Sequence, residues 1–166
     1  VMAQGDYRWS YDILGDPNGC PFTIGQQGCY ITNLASALRL YELDPEATPA
    51  SVNGLLHEKR AFWGCLPSWA GIERVLGLRV TFGDLRRHVE QGGYGMIEVW
   101  PSAIQHFVLA IDYDERGFLV LDPLRGDKIH LTDRYRGIES VRLLHKTRHV
   151  ERTTPPWPRW KIAALK

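Results

Sequence analysis

Three cysteines, six histidines and nineteen carboxylates could do chemistry in this chain, and Cys29 stands apart by its place. It follows Gly28 and opens GCYITNLASALRLY, where Ile31, Leu34, Ala35 and Leu38 recur at the i, i+3, i+4, i+7 spacing of an apolar helical stripe. At about 100° per residue, Cys29 falls on roughly the opposite side, together with Asn33 and Ser36. That side is therefore expected to be polar and to line a cleft. A thiol in a first helical turn sits among N–H groups with no intrahelical acceptor, at the positive end of the macrodipole. Both favour an anion, and so the reactive thiolate. Free cysteine is also among the most buried residue types, so packing remains a competing role at this point.

The second candidate group lies in QHFVLAIDYDERGFLVLDP. This stretch predicts two strands joined at DERG, with Gly117 free to take positive φ in the turn. Along the first strand Phe107, Leu109, Ile111 and Tyr113 alternate with His106, Val108, Ala110 and Asp112. On the return, Phe118, Val120 and Asp122 alternate with Leu119 and Leu121. If pairing near the turn keeps even parity, His106 and Asp122 share a face on neighbouring strands, opposite or diagonal according to register. Asp112 shares the face of His106 and is the second candidate partner. An imidazole beside a carboxylate is held in one tautomer and stabilised when it charges, as a general base requires. A single structural hydrogen bond is the competing role. His57 and His88 fall on predicted helices, His88 on a stripe with Leu85 and Val89. His130 falls on a short strand, and His145 and His149 at the start of a basic tail. None of these is expected to have a carboxylate in a comparable cross-strand position.

The elements that must position these groups are helices first and strands later. TPASVNGLLHEK offers Thr48 as N-cap and Pro49 at the first helical position. SWAGIERVLG places Trp69, Ile72, Val75 and Leu76 at helical spacing and stops at Gly77, and DLRRHVEQGG is a short helix opened by Asp84. GMIEVW, HFVLAIDY, FLVLD, KIHL and ESVRLLH are then rich in β-branched and aromatic residues, and predict strands. Helices followed by an antiparallel sheet give an α+β class. With 166 residues, 44% of them hydrophobic and 23% charged, residues 1–145 suit one domain with a real core.

Several classes are excluded. No apolar run is long enough to span a bilayer, and no secretory signal is visible. The chain begins with Val1, so removal of an upstream segment is expected, and no localisation follows. No C-x-x-C occurs, so neither a structural metal nor another cofactor is expected, and three cysteines allow at most one disulfide. Residues 146–166 carry six Lys/Arg against Glu151, which leaves the body net acidic and argues against a nucleic-acid partner. That tail contains TTPPWPRW, and reads as an extended strap or as a linker to a further domain or assembly partner.

Taken together, QGDYRW, GCYITNLASALRLY, TPASVNGLL, AFWGCLPSW and QHFVLAIDYDERGFLVLDP resemble, in order and spacing, the papain-like cysteine peptidases of the C39-like kind. The likeness extends from about Gln4 to Asp127. It implies a papain-like fold, with helices packed on an antiparallel sheet and the nucleophile at a helix start. It also implies Cys29 as nucleophile, His106 as base and Asp122, in the DP dipeptide, as orienter. The resemblance further implies an oxyanion hole made of a glutamine amide and the backbone N–H of Cys29. Gln4 matches the family's opening glutamine, with a longer loop over residues 10–25 after it. Gln27 is the alternative, although its loop would need an unusual turn to aim an amide at the site. A Cys20–Cys65 disulfide is compatible with this layout, and the spacing does not establish it. The function expected is a thiol peptidase or amidase, with hydrolysis and acyl transfer both open and no cofactor. Its substrate would be a protein, a leader peptide or the peptide of a cell wall. The other class of function kept open is a silent binding or structural module of a larger assembly.

Overall fold

The computed structural model describes residues 1–16 and 18–147. The strap or linker expected over 146–166 therefore lies, from residue 148 on, outside the described residues. In chain order the elements are α1 (Ile24–Gln27), α2 (Cys29–Leu40), α3 (Pro49–Glu58), β1 (Phe62–Trp63), β2 (Leu66–Pro67), α4 (Trp69–Leu76) and β3 (Leu78–Thr81). They continue with α5 (Leu85–Glu90), β4 (Tyr94–Val99), β5 (His106–Asp114), β6 (Gly117–Asp122), β7 (Asp127–His130), a one-turn 3-10 helix at Leu131–Asp133, and β8 (Ser140–Lys146). The helix starts are set by their caps: Thr48, Ser68 and Asp84 each accept a backbone N–H of the first turn. Gly77 ends α4 in the left-handed region, at φ 70°.

Six strands form one sheet in the order β3-β8-β4-β5-β6-β7, with every pair antiparallel. The class is α+β, with helices and an antiparallel sheet. One face, carrying Leu78, Met96, Phe107, Leu109 and Leu144, packs on α2, α3 and α4. The other, carrying Ile97, Val99, Val108, Ala110 and Val120, is covered by Leu85 and Val89 of α5 and by Leu131 and Tyr135. Covering on both sides explains why residues 106–110 are buried without interruption, although a half-exposed strand would alternate.

Three expectations are corrected here. First, α2 is buried nearly all round, from Cys29 to Leu38, so Asn33 and Ser36 do not line a cleft. Asn33 Nδ2 instead donates to Phe107 O at 2.9 Å and ties the helix to β5. Second, pairing next to the DERG turn has odd parity, with Tyr113 opposite Phe118 and Asp112 opposite Leu119. The register then shifts, leaving Ile111 unpaired, and resumes as Ala110 opposite Val120. This bulge restores the parity that puts His106 and Asp122 on one face, on a diagonal. It also moves Tyr113 onto the Phe118 side, with ring centroids 4.9 Å apart, and leaves Asp112 exposed. Third, Gln26 and Gln27 lie on α1 and not in an irregular loop, because Thr23 and Gln26 cap one another reciprocally. Sequence periodicity also missed β3 and the β1–β2 hairpin. Among the described residues no helix is long and apolar enough to cross a membrane.

Candidate active site

Cys29 is placed by a tight join between two helices. The single turn α1 ends at Gly28, whose N–H donates to Ile24 O at 2.6 Å. A Cβ at position 28 would meet Ile24 O at 2.4 Å and Ile24 Cγ2 at 2.5 Å, so only glycine allows α2 to begin here. The carbonyl of Gly28 is then pinned by the N–H and the hydroxyl of Thr32. Cys29 becomes the first residue of α2, where the backbone N–H groups have no intrahelical acceptor. It is a free thiol, 7% exposed, at a cavity of about 640 Å³.

His106 opens β5 opposite Val99 and is buried. Its Nε2 lies 2.9 Å from Asp122 Oδ1, and Cys29 lines the same cavity, near enough to the imidazole to favour its charged form. With Nε2 committed to Asp122, Nδ1 is the nitrogen left for the thiol. Cys29, His106 and Asp122 are thus brought together in one group. Burial alone would lower the His106 pKa, but the bonds and charges of Asp122 and Cys29 outweigh it and raise it to about 9. The imidazole is therefore charged at neutral pH.

Asp122 is fully buried and surrounded by donors. Besides His106, its Oδ1 accepts Leu124 N–H at 2.9 Å, while Tyr135 Oη donates to Oδ2 at 2.6 Å and Arg134 Nη1 donates to the same oxygen. Arg134 also makes two bonds to Asp127, at 3.0 and 2.6 Å. Burial raises the carboxyl's pKa, and these hydrogen bonds overcome it and hold the group well below the usual carboxylate range. Sequence reasoning missed Arg134 and Tyr135. They lie just past a one-turn 3-10 helix, where no period marks which side chains turn inward.

Gln4 reaches the same cavity from the N-terminal segment, which is fixed beside the end of β6 by Gln4 N–H donating to Pro123 O at 2.8 Å. One hydrogen of Gln4 Nε2 goes to Gly25 O at 3.1 Å, which leaves the second for a ligand. Gln4 is 4% exposed, whereas Gln27 lines the cavity as an exposed side chain of α1. A preorganised donor fits Gln4 better than the mobile amide of an exposed glutamine.

Two loops frame the opening. The segment after Gln4 is held by an Ile13–Thr23 bridge and by Asn53, which donates to Ile13 O and accepts from Gly15 N–H. Cys20 and Cys65 form a disulfide, which anchors this segment to the β1–β2 hairpin. The β4–β5 loop is held from below by buried Glu98, which accepts from Gln105 Nε2 at 2.6 Å and from Trp100 Nε1 at 3.2 Å. Nothing in the sequence pattern had marked Glu98.

The other histidines stand apart from this group. His88 bonds to the carbonyls of Tyr94 and Leu144, and His145 to the Thr81 hydroxyl. His57 is exposed on α3. His130 does have a carboxylate partner, contrary to expectation: Asp114 Oδ2 lies 2.8 Å from its Nε2. That pair lies at the hairpin end of β5 and does not line the cavity. His149 is outside the described residues. Among the described residues no group of three or more His, Cys, Asp or Glu side chains is arranged to hold a metal ion.

No protein-family model and no curated protein matches the chain. The geometry must carry the chemistry alone. A thiol beside an imidazolium, a buried carboxylate on the far ring nitrogen, and N–H donors next to the sulfur can form and break a thioester.

Proposed function

We propose that the chain is a cysteine peptidase or amidase of the papain-like, C39-like kind, working through a Cys29 acyl-enzyme. The observation that carries this reading is that Cys29 and His106, the latter held by Asp122, sit side by side at the edge of a cavity that Gln4 also lines. The Cys29 thiolate attacks the carbonyl carbon of a peptide or amide. The C–S bond forms as the carbonyl π electrons move to oxygen, which is met by the Cys29 N–H and the free N–H of Gln4. As the tetrahedral intermediate collapses, the C–N bond breaks and His106 Nδ1 gives its proton to the departing amine. The neutral imidazole then takes a proton from the water that attacks the thioester carbonyl; as this second tetrahedral intermediate collapses the C–S bond breaks, releasing the acid and leaving imidazolium and thiolate. Another amine in place of water would give acyl transfer.

Asp122 supports each step without touching substrate. It holds His106 by Nε2, so that Nδ1 faces the sulfur, and it stabilises the positive ring. Arg134, Tyr135 and the Leu124 N–H hold Asp122 ionised in turn. Intact-mass spectrometry of the full chain with an activated peptide ester tests the reading. The expected result is a transient adduct on Cys29 with release of acid, and no adduct in Cys29→Ala. Absence of any adduct in the unmodified chain would leave a binding module as the reading.

A further inference from the structure

Resting on the reading just given, we infer that the cleft takes an uncharged peptide segment with large apolar side chains close to the reacting carbonyl, and that Trp63, Leu66, Ile104 and Leu124 select it. None of the residues lining the cavity is Asp, Glu, Lys or Arg, although these types make up 23% of the chain. Apart from the Cys29–His106 pair, which the reaction itself occupies, a charged substrate side chain would find no partner there, and desolvating it uncompensated is unfavourable. Away from His106 the polar lining consists of neutral groups, Gln4, Gln26, Gln27, Gln105 and Ser102 among them, which suit the N–H and C=O groups of a peptide main chain.

The apolar residues are placed with equal consistency. Trp63 is 86% exposed, Ile104 63%, Leu124 51% and Leu66 45%, and all four line this one cavity. Single exposed apolar residues are ordinary on a protein surface, but a cluster around a concave site marks binding. They come from three segments, the β1–β2 hairpin, the β4–β5 loop and the turn after β6, so they surround the cavity and do not form one outward patch. The hairpin and the loop are fixed from behind, by the Cys20–Cys65 disulfide and by Glu98, which makes the rim a preformed surface. Gln4 Oε1, a buried polar side-chain atom without a partner among the described residues, belongs to a residue lining the same cavity. Unsatisfied groups of this kind call for a ligand or an ordered water.

The test separates binding from turnover. Full-length Cys29→Ala is titrated into fluorescein-labelled octapeptides with Gly-Ser ends and a central Leu-Phe-Ala-Leu, or the same with Asp or Lys replacing Leu and Phe. Fluorescence polarisation should show the apolar peptide binding at least about tenfold tighter than either charged one, since burying one large apolar side chain is worth that much. Trp63→Ala and Ile104→Ser should each weaken the apolar peptide about tenfold, with melting temperature unchanged. Equal or tighter binding of a charged peptide, no binding of the apolar one up to millimolar concentration, or insensitivity to both substitutions overturns the inference. The two readings fail separately. An unmodified chain that hydrolyses charged and apolar peptides alike keeps the peptidase and loses the apolar cleft. One that cleaves nothing, while Cys29→Ala binds as described, keeps the cleft and loses the peptidase.

Discussion

Asp122→Asn removes a negative charge from a fully buried site while keeping nearly the same side-chain shape. The interval from the ordinary histidine value of 6.5 to about 9 for His106 corresponds to about 3 kcal/mol of net preference for the imidazolium. Burial opposes that preference, so Asp122 and Cys29 together supply more than the net. Asparagine can still accept a hydrogen bond from Nε2 but brings no charge, and burial then counts for more. We expect the His106 pKa to fall clearly from about 9 toward its ordinary value. Proton NMR of the imidazole Cε1–H against pH reads this directly, with the His106 resonance assigned by its loss in His106→Ala. The same shift predicts a dependence of stability on pH. A histidine raised in the folded state stabilises fully below its unfolded value of 6.5, and that stabilisation is lost as pH rises through about 9. The melting temperature of the unmodified chain should therefore decline between pH 6.5 and 9.5, and the decline should be shallower in Asp122→Asn. A His106 resonance that titrates near 6.5 in the unmodified chain, or stays in place in Asp122→Asn, would refute the reasoning.

Three further outcomes are expected. Cys29→Ala should abolish turnover and lower stability by only about 1 kcal/mol, the loss of one small buried group; calorimetry showing a loss of 3 kcal/mol or more would return Cys29 to packing. Gln4→Ala should lower turnover by roughly 10²–10³, the cost of losing one oxyanion donor, with thiol labelling little changed; a normal rate there and a collapse in Gln27→Ala would reassign the donor. Arg134→Gln should lower stability by about 2–3 kcal/mol in denaturant titrations and move the His106 titration, because Asp122 keeps its burial and loses its charged partner; a variant as stable as the parent would make Arg134 incidental.

The helices and long strands were legible in the sequence because each has a period, a cap or a stop that acts locally. Thr48, Asp84 and Gly77 do in the structure what their chemistry predicts. Of the elements of two to four residues, β7 was legible from KIHL, whereas β1, β2, β3 and α1 were not, being too short to show a period and held by their partners. The pairing of His106 with Asp122 was read correctly from a premise that fails at the turn. Alternation alone carries no sign of the unpaired Ile111, which depends on how both faces of β5 pack. The polar side assigned to α2 failed for a similar reason, because Asn33 finds its partner on a strand 74 residues away. Arg134 and Tyr135 could not be found from local pattern, as their roles arise only when the chain folds back over Asp122.

The central claim is that His106 activates Cys29, and the rate of iodoacetamide labelling at pH 6.5 tests it most directly. Cys20 and Cys65 are paired, so Cys29 is the one free thiol and intact mass reports it alone. A reference thiol of pKa about 8.5 is only about 1% thiolate at that pH. The account predicts that Cys29 reacts at least about tenfold faster than such a thiol and that His106→Ala removes the advantage. It also predicts that His57→Ala, His88→Ala and His130→Ala leave the rate unchanged. Labelling that is equally fast in His106→Ala, or that slows instead in one of those three, would contradict it.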